Sequence, residues 1–105
     1  MTRRILPQRR RAVTFTVIHW NQPFVVTVGF FDDGTVGEVF VDARKTGGDV
    51  EAVARNAAVV ISLALQHGAP IATIRRAITR NSNGTPSSIL GAVVDALAAT
   101  RRGAA

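Results

Sequence analysis

A chain of 105 residues has room for one hydrophobic core and not for two. It holds no cysteine, which excludes disulfides, thiolate metal ligands and thiol redox chemistry, and its longest unbroken apolar run, residues 57–61, is far too short for a membrane span. The formal charge of +6 sits at the ends, on Arg3, Arg4, Arg9, Arg10 and Arg11 in front and Arg101 and Arg102 behind, while residues 12–100 carry six basic and seven acidic side chains.

Residues 1–11 have no periodicity, contain Pro7 and are followed by no long apolar segment, so they read as a basic flexible arm and not as a secretory signal. A cytoplasmic location with no membrane partner is the expectation. From Ala12 the texture changes. Val13, Phe15 and Val17 alternate with Thr14 and Thr16, the period of two that marks a strand. Asn21-Gln22 predicts a turn, and residues 24–30 repeat the alternation with Phe24, Val26, Val28 and Phe30 on one side. Asp32-Asp33-Gly34 predicts a hairpin turn, because glycine supplies the positive φ such loops need. A third strand over residues 35–42 follows, with Gly37 marking a bulge or a close backbone approach.

The longest periodic stretch is residues 47–68. Val50, Val53, Ala54, Ala57, Val60, Ile61, Ala64 and Leu65 recur at helical spacing and predict a central helix with one buried stripe. Val59 and Leu63 make its second half apolar all round, which predicts cover on several sides. Asp49 is placed as its N-cap and Gly68 as its left-handed end. Pro70 opens a short second helix with Ile71, Ile74, Ala77 and Ile78 inward and Arg75, Arg76 and Arg80 outward. Residues 81–84 form a loop, and Thr85-Pro86 is placed as the cap of a third helix striped by Ile89, Leu90, Val93, Val94 and Leu97. Strands and helices are segregated, so the expected fold is α+β: a three-stranded antiparallel meander, then three helices on one face of the sheet. The single domain spans residues 12–100, with residues 101–105 as a basic tail. A three-stranded sheet leaves open edges, which makes a homo-oligomer built through a sheet edge an expectation.

Lys45, Thr46, Gly47 and Gly48 lead into the central helix. Glycines, a lysine and a hydroxyl at a helix N-terminus are the ingredients of a phosphate or nucleotide site, although the full phosphate-loop spacing is missing and a glycine turn explains the same residues. Arg3, Arg4, Arg9, Arg10, Arg11, Arg75, Arg76 and Arg80 are the candidates for nucleic-acid or partner contact, since each phosphate neutralised releases a counterion. His19 beside Trp20 suits a strand end or a partner surface, and His67 suits a helix end, where a cation is favoured. Glu38 reads as a carboxylate on an exposed sheet face. No metal set, paired carboxylates or nucleophile–base order emerges, so no cofactor and no active site are expected.

The order of Val26-Thr27-Val28-Gly29, Asp33-Gly34, Gly37-Glu38-Val39-Phe40-Val41, Lys45-Thr46-Gly47-Gly48-Asp49, the run from Ile61 to Gly68 and Pro86-Ser87-Ser88-Ile89 resembles the TSCPD domain. That domain is found at the C-terminus of adenosylcobalamin-dependent (class II) ribonucleotide reductases and as short stand-alone proteins. The resemblance covers residues 12–100. The family's Thr-Ser-Cys-Pro-Asp segment would fall near Ser87 and Ser88, with Ile89, Leu90 and Gly91 where the family has cysteine, proline and aspartate. Any thiol or metal role of the family cysteine is then beyond this chain, and the radical site and reducing cysteines of a reductase belong to a barrel that 105 residues cannot contain. The resemblance implies a small non-catalytic module related to ribonucleotide reductase, accessory or regulatory through contact with a reductase large subunit, and holding a nucleotide or phosphate. The alternatives are a nucleic-acid-binding protein that uses the arm and the basic helix face, and a homo-oligomeric structural protein.

Overall fold

The computed structural model describes residues 2–43 and 48–100. Three strands, β1 (Ala12–His19), β2 (Gln22–Phe30) and β3 (Val36–Ala43), precede three helices, α1 (Asp49–Gln66), α2 (Ile71–Ala77) and α3 (Ile89–Ala99). The sheet is antiparallel in the order β1-β2-β3, and the arrangement is the α+β one that the segregated periodicities predict.

Two turns set the register. The first is Trp20-Asn21, one residue earlier than the expected Asn21-Gln22, with φ of 52° and 60°. Positive φ at both central residues is the two-residue turn whose twist matches the strands. Asparagine tolerates it, while Trp20 takes it at a steric cost and stacks on His19 with ring centroids 5.0 Å apart. The second is the Asp32-Asp33-Gly34 turn, with Gly34 at φ 86°. Asp33 Oδ1 accepts from the Thr35 N–H (2.9 Å) and hydroxyl (2.6 Å), bonds that hold its carboxyl below the usual range. Gly37 is both things its position predicts. Pairing passes from Gly29↔Glu38 to Phe30↔Val36, so Gly37 is the extra residue of a bulge. A Cβ there would lie 2.7 Å from Leu6 Cδ2 and 2.8 Å from the Phe31 ring.

One sheet face forms the core. Phe24, Val26, Val28 and Phe30 of β2 and Val39, Val41 and Ala43 of β3 are buried against Ala54, Ala58, Ile61 and Leu65 of α1 and Ile89, Val93, Val94 and Leu97 of α3. Burying each of the valine, leucine, isoleucine and phenylalanine side chains contributes about 1.5–3 kcal/mol.

Four helix expectations are corrected; in α2, Ala77, expected inward, is exposed, and Ile71, Ile74 and Ile78 are half-buried. The buried stripe of α1 is Ala54, Ala58, Ile61 and Leu65, whereas Val50, Val53 and Val60 are 55%, 64% and 65% exposed. With apolar residues all round, periodicity cannot choose a face; the small Ala54 and Ala58 decide it by permitting close approach to β3. The N-cap of α1 is Gly48, at φ 91°, and Asp49 is the first helical residue. The N-cap of α3 is Ser88, whose Oγ accepts from the Gly91 N–H at 3.4 Å. Thr85 and Pro86 belong instead to a loop closed by the Asn81 N–H to Thr85 carbonyl bond (2.8 Å) and an Arg80↔Pro86 bridge.

Candidate functional site

The most built part of the surface is the seam where α1 lies beside the outer edge of β3. Ser62 Oγ accepts from the Val39 N–H at 2.9 Å and lies 3.2 Å from the Val39 carbonyl and 2.9 Å from the Ala58 carbonyl, its single proton serving one of the two. One turn on, the buried Gln66 donates Nε2–H to the Gly37 carbonyl at 2.8 Å. Its Oε1 accepts from Arg3 Nε at 2.7 Å, and its main-chain carbonyl accepts from the Arg4 N–H, also at 2.7 Å. Two polar side chains four residues apart thus take the place of a neighbouring strand, satisfying edge groups that would otherwise need water.

Above this seam runs a groove of about 390 Å³. Its floor and walls are Phe40, Val59 and Leu63, which are 53%, 57% and 39% exposed, so the greasy half of α1 is not covered on this side. Its rim is charged. Arg55 Nη2 meets Asp42 Oδ1 at 2.6 Å, and Arg10 Nε meets Glu38 Oε2 at 2.6 Å. An apolar floor with a polar rim is the usual anatomy of a protein-contact surface. A second cleft, about 290 Å³, lies at the other end of α1, where Trp20, Val50 and Val53 meet Ser87, Ser88 and Ile89. His19 borders it, with Nε2 enclosed and no partner among the described residues.

The residues singled out from sequence are distributed as follows. Lys45, Thr46 and Gly47 lie outside the described residues, and Gly48 stands at the α1 N-terminus. Arg3 bonds Gln66, and Arg4 bonds Asp33 at 3.2 Å with its guanidinium 3.7 Å over the Phe31 ring. Arg10 bonds Glu38 and the Pro7 carbonyl. Arg75 and Arg80 converge on one carboxylate, Asp95: Arg80 by a two-pronged pair at 2.6 and 3.0 Å, Arg75 through Nε at 2.9 Å. Led by the Arg80 hydrogen bond and helped by Arg75, the pair holds Asp95 down to about 2. Arg9, Arg11 and Arg76 are exposed, with no side-chain bond among the described residues. His67 is the C-cap of α1, its Nδ1 2.9 Å from the Leu63 carbonyl. Glu38, expected on an open face, is largely covered by Arg10, its side chain 14% exposed.

Ser62, Gln66, Asp95 and Phe40 were not singled out from sequence as site residues, and Val59 and Leu63 were noted only as part of an all-round apolar helix. The signals available were that surplus of apolar residues and Ser62 and Gln66 themselves, polar residues at i and i+4 inside it.

The TSCPD domain family matches residues 1–100. The chain belongs to the TSCPD domain family. A vitamin B12-dependent ribonucleotide reductase of Bradyrhizobium diazoefficiens is 33% identical over 66 residues, 63% of this chain and 5% of that protein. One of the same name from Agrobacterium fabrum is 36% identical over 74 residues, 70% of this chain and 6% of that protein. The TSCPD chain thus corresponds to about a twentieth of each relative's length. No solved structure matches it. Among the described residues no helix is long and apolar enough to cross a membrane, and no cluster of three or more metal-ligating side chains occurs.

At Gly91, where the resemblance puts the family's aspartate, the chain has no space for a side chain. A Cβ there would meet Pro86 Cβ at 2.8 Å and Ile78 Cγ2 at 3.2 Å.

Proposed function

We propose that this TSCPD chain is a non-catalytic accessory module of a ribonucleotide reductase, working by protein contact, with the α1–β3 groove as its docking surface. The observation that carries the reading is the exposed apolar row of Phe40, Val59 and Leu63 on an otherwise well-satisfied seam. Kinship with a small part of two reductases supplies the kind of partner, a reductase large subunit. The Arg55–Asp42 and Arg10–Glu38 pairs at the rim would set orientation more than affinity. A finer element of the proposal is a nucleotide phosphate at the start of α1, near Gly48 and its sequence neighbours Lys45, Thr46 and Gly47.

The test is capture from nuclease-treated lysate of the source cells with the tagged chain, the reductase large subunit being identified by mass spectrometry. The expected result is enrichment of that subunit by the parent chain and its loss with V59K/L63K. Enrichment that survives those substitutions would move the docking surface elsewhere; no reductase at all would overturn the proposal.

The phosphate-gripping alternative draws on Arg9, Arg11 and Arg76, since Arg3, Arg4, Arg10, Arg75 and Arg80 are bonded within the chain. It requires nucleic-acid affinity that falls steeply with salt and disappears with the three arginines.

A further inference from the structure

We infer that two copies of this chain pair through the outer edge of β1, antiparallel, to make one six-stranded sheet. In a two-residue hairpin the flanking pair, here His19 and Gln22, exchanges both backbone bonds, so Val17, Phe15 and Val13 also bond β2. The Phe30 N–H to Arg11 carbonyl bond, 3.0 Å, continues that alternation. Thr14, Thr16 and Ile18 therefore turn their N–H and C=O groups outward, and among the described residues nothing meets them.

This edge lacks every device that natural sheets use to discourage pairing: its eight residues include no charge, no proline and no bulge. At the opposite edge α1 lies alongside, and its Ser62 and Gln66 bond the outward Val39 and Gly37 groups. The N-terminal segment runs away from β1, Arg10 reaching Glu38 and Arg4 reaching Gln66, and leaves the edge clear. On the core face Val13, Phe15 and Val17 are only half-buried, whereas their neighbours Val28, Val26 and Phe24 on β2 are fully buried. The core thus continues to an unfinished border.

A second copy completes it. With a two-fold axis at Phe15, the two Phe15 rings meet, Val13 faces Val17 of the second copy, and on the outer face Thr14 faces Thr16, a favourable cross-strand pair. Charge selects the antiparallel direction. The basic residues 9–11 of the two copies then lie at opposite ends of the eight-residue strand, about 27 Å apart at about 3.4 Å per residue and well beyond a screening length of about 10 Å. Each sits instead beside the other copy's Trp20, which is 80% exposed and offers a ring face to a guanidinium. One strand and a hairpin tip give an interface below the standard size, which sets a reversible dimer and not a permanent one.

The experiment is sedimentation equilibrium of the purified chain from low micromolar to millimolar concentration, which needs no reductase and so stands apart from the docking proposal. The parent chain is expected to shift from monomer to dimer. Thr16→Pro removes an outward N–H without touching the β2 ladder and should weaken the dimer at least tenfold; T14K/T16K, placing ammonium groups opposite one another on the exposed face, should do the same. T14E/T16K pairs opposite charges only in the stated register and should retain the dimer. Circular dichroism confirms that each variant is folded, and if the proline variant is not, the lysine pair decides. A parent chain monomeric throughout, a dimer untouched by T14K/T16K, or one lost in T14E/T16K would overturn the inference.

Discussion

Asp95 gathers three charged hydrogen bonds, from Arg75 Nε and both terminal nitrogens of Arg80, and so ties α2 and the loop after it to α3. Its carboxyl falls from the ordinary 3.8 to about 2, chiefly through the Arg80 bond. A folded value below the unfolded one means that the ionised form is the stabilising one. The contribution is complete above the unfolded value and is lost as pH falls through the folded value, between 3.8 and about 2. The partners are partly exposed, so about 1–2 kcal/mol is the expected size after solvent screening. Asp95→Asn should lower stability by that amount in urea titration at neutral pH and flatten the acid limb of the stability curve. Burial adds a second residue-scale prediction at Gly91. Gly91→Ala should destabilise by about 1–3 kcal/mol in thermal melts, because the new methyl overlaps Pro86 and Ile78, which outweighs alanine's better helix propensity.

At the scale of elements, α1 does two jobs: its alanine face packs on β3, and its Ser62 and Gln66 bond the β3 backbone. Ser62→Ala leaves the Val39 N–H without its partner and should cost about 1–2 kcal/mol, with faster amide exchange at Val39 as the local signature. The six elements and their order were legible in the sequence, because alternation in the strands and three-four spacing in the helices leave little choice of type. The burying face of α1 was not. Valines and alanines alternate around its whole circumference, and only the surface opposite, where two alanines fit and a hydroxyl finds a carbonyl, decides between them. The start of α3 was misplaced for a related reason: Thr85-Pro86 is a sound local opening, yet Pro86 is engaged by Arg80 across the loop. The seam groove was illegible too, since it is formed by Phe40 with Val59 and Leu63, residues from β3 and α1 that are brought together only by folding.

At the scale of the whole molecule, the core is closed on the β3 side and much of the unspent apolar surface lies outside it, on Phe40, Val50, Val53, Val59, Val60, Leu63, Ile18 and Trp20. Side chains so exposed contribute little to folding, which separates stability from association. V59K/L63K should lower stability by no more than about 1–2 kcal/mol, nearly all of it at the 39%-exposed Leu63, while removing partner capture. The arginines are likewise divided: among the described residues most fasten the chain to itself, while Arg9, Arg11 and Arg76 make no such bond.

The placement of α1 along one sheet edge, with Ser62 and Gln66 bonded to it, also governs how far any assembly can grow. A sheet with two open edges propagates without limit, one chain adding to the next, and that is the geometry of fibres. With α1 occupying the β3 edge, strand addition has a single address, and one added partner uses it up. The helix that completes the fold is in this sense a terminator, and growth by strand pairing stops at a closed pair.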